Sequence, residues 1–208
     1  MVEYFEALKR PFEDARKLII GIILSIIPIV NFIFYGYLLD VAETGMRKQK
    51  KLPEFEGFGR LFVNGFKMLL IGIVYLIPVA LVMGILFFTG LATVPSMESL
   101  TSASLSALGG FGLSFIVTAI VALVFGYLST GAVLRFAEKK ELSAAFELKE
   151  IADKVFTGTF FVGWLITVVL AGAISVVLGL IPVVGTLFTV YISGVFGYTA
   201  LGQAYSEA

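Results

Sequence analysis

The sequence predicts an all-α integral membrane protein that crosses the bilayer several times. Of its 208 residues, 59% are hydrophobic and only 14% are charged. A soluble domain is typically about 45–50% apolar and about 25% charged, so this chain has too few charges to cover a water-facing surface. Four uncharged apolar runs are also long enough for transmembrane helices, which need about 20 residues each. Together these observations exclude a soluble enzyme, a nucleic-acid-binding domain and a disordered tail.

The four full spans are predicted over residues 68–90, 111–134, 159–181 and 183–204. A further apolar run, residues 18–39, is interrupted by Pro28 and Asn31. Its first ten residues would rise only about 15 Å as a helix, which is half of the ~30 Å hydrocarbon core. Two structures fit this run. One is a re-entrant hairpin that turns at Pro28, and the other is a Pro-kinked fifth crossing.

The distribution of Lys and Arg decides between these two topologies. If residues 18–39 cross the bilayer, four of the 15 cations lie opposite the other 11. If the run is a hairpin, all 15 lie on one side, as the positive-inside rule requires. The rule therefore favours the hairpin. It predicts a multi-pass plasma-membrane protein with both termini in the cytoplasm and residues 96–106 outside.

Each of three charged segments contains an amphipathic stretch in which apolar residues recur at helical spacing. These residues are Phe5, Leu8 and Phe12 in the first segment, Phe55, Phe58, Phe62 and Phe66 in the second, and Leu148, Ile151 and Val155 in the third. Such stretches predict three interfacial helices that lie at the headgroup boundary. The alternative is that they are short cytoplasmic helices packed on protein.

Short matches indicate an internal repeat within a single membrane domain, residues 1–208. The pattern aromatic-Gly-Tyr occurs at residues 35–37, 125–127 and 196–198. Two turns also match, with Pro28 and Asn31 in one and Pro182 and Gly185 in the other. Asn and Gly accept the left-handed backbone conformation best, so the exchange predicts one shared turn geometry. The predicted repeat units are residues 1–46, 53–134 and 142–204.

The sequence offers little for catalysis. It has no Cys and no His, and the four full spans carry no ionisable side chain. We therefore expect no enzyme activity, no catalytic residues, no cofactor and no metal site. The absence of Cys, together with few Asn and Gln, is also typical of heat-adapted proteins.

One basic run is a candidate binding site. Arg47, Lys48, Lys50 and Lys51 would attract anionic lipid at a membrane surface, and the same charges would orient the protein. The expected partners are the lipid bilayer, anionic lipid and further copies of the chain, because small residues recur along the last two spans. No nucleic-acid partner is expected.

An ordered set of motifs resembles a known family. The set comprises Gly36-Tyr37, then residues 51–55 (KLPEF), residues 64–67 (NGFK) and residues 75–78 (YLIP). It is similar to the family named domain of unknown function 4013, which consists of small multi-pass membrane proteins. The resemblance implies a polytopic membrane protein and brings no activity or functional residues with it.

Two functions are compatible with these features. The first is an oligomeric passive pore or a channel that responds to membrane tension, in which interfacial helices pull on the spans. The second is a scaffold that binds lipid or another membrane protein.

Overall fold

The computed structural model is all-helical over the residues it describes, which are 2–92, 100–181 and 184–208. The helices in these ranges are α1 (Tyr4–Lys9), α2 (Ala15–Ile26), α3 (Asn31–Met46), α4 (Phe58–Ala92), α5 (Leu100–Lys139), α6 (Leu148–Val155), α7 (Gly158–Gly179) and α8 (Val184–Ser206). Two 3-10 turns lie at Arg10–Phe12 and Leu142–Phe146.

Within the described residues, three segments are long and apolar enough to cross a membrane, namely Phe58–Thr89, Gly112–Lys139 and Gly158–Gly179. They belong to α4, α5 and α7, and they contain most of three of the four predicted spans. The prediction of a helical membrane protein is confirmed at this level. The fourth predicted span, residues 183–204, coincides with α8 apart from residue 183, which lies outside the described residues.

The chain divides into two compact units. Unit 2 is Gly72–Thr130, made of residues from α4 and α5, and α4 continues through Pro78. Its apolar side chains are largely exposed, for example at Leu81 and Phe115, as suits contact with lipid. Unit 1 is Met1–Ile71 with Gly131–Ala208, and it contains all 15 Lys and Arg residues.

Polar side chains define where helices of unit 1 begin. The Asp14 carboxylate accepts hydrogen bonds from the backbone N–H groups of Arg16 and Lys17, at 2.9 and 3.2 Å, and so caps α2. The Thr157 hydroxyl accepts from Phe160 N at 3.2 Å and caps α7. Pro11 lies in the 3-10 turn that separates α1 from α2, as its ring geometry predicts.

Helix α8 forms the core of unit 1, where it packs against α7, α3, α2 and α1. A buried cluster joins Phe34, Leu38 and Val41 of α3 to Tyr191 and Val195 of α8. Helix α8 is therefore covered by protein on several sides.

Glycines allow α3 to approach its neighbours at backbone contact. A Cβ at Gly36 would overlap the carbonyl oxygen of Leu61 in α4. A Cβ at Gly45 would lie 2.6 Å from Thr199 O, and one at Gly202 would overlap Ala42 O. Small residues are the expected means of close helix packing in membranes.

The apolar run 18–39 is divided between two helices that pack against each other as a hairpin. The turn corrects one prediction. Neither Asn31 nor Gly185 adopts a left-handed conformation, and Ile29 takes the positive φ of 72° instead. Asn31 is the first residue of α3, where it donates its N–H to Ile27 O at 2.9 Å.

The two predicted turns nevertheless share one backbone bond. Gly185 N donates to Ile181 O at 3.0 Å, which corresponds position by position to the bond from Asn31 N to Ile27 O. The two turns therefore share this hydrogen bond, and they do not share a left-handed conformation at Asn31 and Gly185. Pro182 lies outside the described residues.

Two of the three predicted amphipathic stretches form separate short helices, α1 and α6. The second does not, because residues from Phe58 onward are the first turns of the long helix α4. Phe55 lies before that helix, with its ring stacked 3.8 Å from the ring of Tyr37. The prediction of three separate interfacial helices is therefore wrong for the second stretch.

Candidate functional site

An ion-pair network at one end of unit 1 centres on Asp40, which is only 8% exposed. Arg60 donates to both carboxylate oxygens of Asp40, at 2.8 and 3.1 Å. Lys140 lies 3.2 Å from Asp40 and 2.6 Å from Glu43, and Arg47 lies 2.7 Å from Glu43. The network joins the end of α3, the start of α4 and the residue after α5.

Arg10 is a buried cation that sequence reasoning did not single out. It is 3% exposed, and its guanidinium donates to Thr199 Oγ1 at 2.9 Å, Thr44 Oγ1 at 3.1 Å and the backbone oxygen of Lys51 at 2.9 Å. These acceptors are neutral, so burial lowers the pKa of Arg10. The rigid fork of donors suits this role, since one side chain reaches three segments.

Further bonds bring the remaining charged segments to the same end. Lys17 lies 2.7 Å from Glu54, and Lys48 lies 2.7 Å from Glu207. The backbone N–H of Glu3 donates to Gln203 Oε1 at 2.8 Å. The N-terminal segment, the α3–α4 connection, the segment after α5 and the end of α8 therefore meet. We call this assembly of residues 3–17, 40–60, 135–155 and 199–207 the polar layer.

A cavity of about 390 Å³ opens in the polar layer. Its lining residues are Asp40, Glu43, Thr44, Arg47, Gln49, Pro53, Glu54, Glu56 and Arg60. Most of the charged side chains among them pair with one another or with a neighbouring lysine. No group of three or more acidic side chains within the described residues is arranged to hold a metal ion. The cavity is therefore bordered by a structural ion-pair network.

The basic run is split between two roles. Arg47 and Lys48 form the ion pairs with Glu43 and Glu207 given above, at 2.7 Å each. Lys50 and Lys51 are exposed, and among the described residues their side chains make no ion pair or hydrogen bond. The structure thus leaves two of the four predicted lipid-contacting cations available.

Several apolar side chains in or next to α1 and α6 are exposed. In the first helical segment Phe5, Leu8 and Phe12 are all exposed, and Ala7 makes the contact with protein. In α6, Ile151 is buried, whereas Leu148 is exposed. The predicted apolar stripe of α6 is therefore divided between a protein contact and an exposed face. Phe146 and Phe156, on either side of α6, are exposed as well.

Hydroxyl groups in the apolar helices mostly bond to their own backbone. Thr130, Thr167, Ser175 and Thr189 each donate to the carbonyl oxygen four residues earlier, at 2.7–3.0 Å. Ser175 also lies 3.2 Å from Ser193 and so joins α7 to α8. The hydrogen bonds of these hydroxyls therefore stay within one helix or join the packed helices α7 and α8.

The comparison with curated proteins found no match, and the comparison with solved structures found none either. A family model described as "Protein of unknown function (DUF4013)" matches residues 20–183. The matched region runs from α2 to the α7–α8 connection and includes all the motifs that carry the sequence resemblance. Because the match covers well over half of the chain, the protein belongs to this family.

Proposed function

We propose that the protein is a non-enzymatic membrane scaffold that binds lipid along its polar layer. The exposed apolar side chains of α1 and α6 carry this proposal, because they extend from a region that is otherwise charged. Phe5 of α1 and Phe156, the residue that follows α6, are both 69% exposed. Helices with a polar side and exposed apolar residues bind the boundary between headgroups and acyl chains. The bilayer is the partner of this surface.

The proposed topology has four crossings and a re-entrant hairpin. Helix α2 has 12 residues and rises about 18 Å, which is too short to cross a ~30 Å core. Both ends of the α2–α3 hairpin bond to the polar layer, through Lys17 with Glu54 and through Thr44 with Arg10. Helix α8 is long enough to cross, and its last turn also reaches the polar layer at Gln203.

The location of the polar layer follows from its charge. Every Lys and Arg of the chain lies in unit 1, and representatives of all the charged segments meet in the layer. The positive-inside rule then places the layer, and both termini with it, in the cytoplasm. The hairpins α2–α3 and α7–α8 are the proposed equivalent parts of repeat units 1–46 and 142–204.

Depth measurements test the interfacial role of α1 and α6. Tryptophan is placed at Phe12 or at Phe156 in a Trp164→Phe background, and vesicles contain lipids brominated at different depths. We expect strong quenching by shallow bromines at both positions. A tryptophan at Glu56, which is exposed in the polar layer and lies outside α1 and α6, is the control and should stay unquenched. Absence of quenching at both Phe12 and Phe156 would refute the interfacial role.

A response to membrane tension is the second candidate function, favoured by bonds from the residues that flank α1 to α8. Glu3 bonds to Gln203 and Arg10 bonds to Thr199, so a displacement of α1 in a stretched bilayer would be transmitted to α8. A pore in this case would form between copies of the chain in a homo-oligomer. Patch recordings of reconstituted protein under suction test this. Absence of current across the pressure range that the membrane tolerates would end this candidate.

A further inference from the structure

We infer that Arg16, Lys50 and Lys51 bind the headgroup of one anionic phospholipid, whose acyl chain lies along the exposed isoleucines of α2. This inference rests on the proposed lipid-binding function and deepens it, since it names the lipid class and the residues. Arg16 did not belong to the basic run that the sequence singled out.

The three cations are available to a ligand. All three are exposed, and among the described residues their side chains make no ion pair or hydrogen bond. Neighbouring cations are already engaged, since Lys17 pairs with Glu54 and Asp14, and Arg10 is buried on neutral oxygens.

Two hydrogen bonds from side chains to backbone carbonyls hold the segment that carries Lys50 and Lys51 close to the start of α2. Arg10 donates to the carbonyl oxygen of Lys51 at 2.9 Å, and Lys17 donates to that of Leu52 at 3.0 Å. The connection between α3 and α4 is thereby held against the stretch that carries Arg16. Cations from two distant parts of the sequence consequently lie beside the start of α2.

Helix α2 continues from this basic end as an apolar face. Ile19, Ile23 and Ile26 follow Arg16 at intervals of three and four residues, so they share one face of the helix, and all are exposed. The opposite face contains Gly21, which packs against the ring of Tyr191. From Arg16 to Ile26 the helix rises about 15 Å, which is the thickness of one leaflet's hydrocarbon layer.

Charge selects an anionic lipid over a zwitterionic one. Residues 10–17 and 50–56 together carry five cations against four acids, and Lys17 alone pairs with two of these acids, Asp14 and Glu54. A phosphodiester headgroup with a net negative charge complements this excess. Each cation near an anionic surface raises affinity about fivefold.

Lipid binding to the purified full chain in detergent tests the inference. Phosphatidylglycerol and phosphatidylcholine are titrated in turn, and native mass spectrometry counts bound lipid. The Arg16→Gln/Lys51→Gln variant should lose affinity for phosphatidylglycerol by about tenfold or more, with affinity for phosphatidylcholine unchanged. The matched control is Lys139→Gln/Lys149→Gln, which removes the same charge at another place on the protein. Both lysines are exposed, and neither makes an ion pair within the described residues. It should change the affinity less than about twofold.

Several results would overturn the inference. These are equal losses in the two double variants, no loss in either, equal binding of the two lipids, or displacement of the lipid by millimolar glycerol phosphate. A lipid-free dimer that the Ile23→Gln variant dissociates would assign the α2 face to a second copy. Thermal melting shows that each variant is folded before lipid is added. If the double variants behave alike while bromine quenching at Phe12 and Phe156 persists, this headgroup site fails and the interfacial scaffold stands.

Discussion

Replacing Gly202 with alanine tests the close packing of α3 on α8. The new methyl group would overlap the carbonyl oxygen of Ala42 and lie 3.1 Å from Met46 N, both of which belong to the backbone of α3. Backbone atoms cannot rotate away, so the two helices must separate. Overpacking typically costs about 1–3 kcal/mol, and alanine returns up to ~1 kcal/mol through its higher helix propensity. We expect a net loss of about 1–2 kcal/mol, or ~2–8 °C in melting temperature for a chain of this size.

The same helix supplies a matched control. Gly197 lies in α8 as well, but a Cβ at this position would meet no atom within 4 Å. Gly197→Ala should therefore stabilise the protein by about 0.5–1 kcal/mol, through helix propensity alone. Thermal unfolding in detergent, followed by the fluorescence of Trp164, measures both variants. Equal melting temperatures for the two alanine variants would refute the close approach of α3 and α8.

Three further predictions concern the polar layer. Arg10→Lys keeps the charge, but the lysine side chain cannot reach all three acceptors, so we expect a loss of about 2 kcal/mol in the free energy of unfolding. Melting at the wild-type temperature would contradict the role of Arg10 in joining the three segments. Asp40→Asn should cost about 1 kcal/mol, because Arg60 and Lys140 lose their charged partner but are themselves partly exposed to solvent, whereas Glu56→Gln should change stability by less than ~0.5 kcal/mol. The hydrogen bond from Lys48 lowers the pKa of Glu207, so the ionised carboxylate stabilises the fold at neutral pH. This contribution is lost as the pH falls through the lowered pKa. The melting temperature should therefore depend less on acid pH in Glu207→Gln than in the wild type.

The sequence predicted the helical membrane class and the break in residues 18–39 because both depend on local properties. Hydropathy and length mark spans, and Pro28 has no backbone N–H with which to continue the hydrogen bonding of α2. The sequence did not predict which residue of the turn would carry the positive φ. Asn31 was expected, but its N–H is used by the first bond of α3, and Ile29 takes that conformation instead.

The central position of α8 was not predictable either. All the apolar helices have similar composition, and the identity of the enclosed one depends on contacts between distant segments. Small residues indicate helix contacts only in part. Gly163 and Gly194 lie at such contacts, whereas a Cβ at Gly172 or Gly197 would meet no atom within 4 Å.

The sequence predicted that the cations share one side but not how they pair. The ion pair between Lys48 and Glu207 joins residues that are 159 positions apart, and Asp40 pairs with Arg60 and Lys140. No local pattern identifies such partners. Glu56 and Arg60 stand at the four-residue spacing of a helical ion pair, but the described ion pairs do not include them because residues before Phe58 are not helical.

The sidedness of the N-terminal segment relative to the α3–α4 connection tests the central claim most directly. The protein has no Cys, so single cysteines at Val2 and Gln49 can be labelled in sealed, oriented vesicles without background. The bonds that join both segments to the polar layer predict that a membrane-impermeant reagent modifies both cysteines from the same side, with no reaction at either from the other. Labelling of the two positions from opposite sides would show that residues 18–39 cross the bilayer, and it would contradict the hairpin, the shared polar layer and the four-crossing topology.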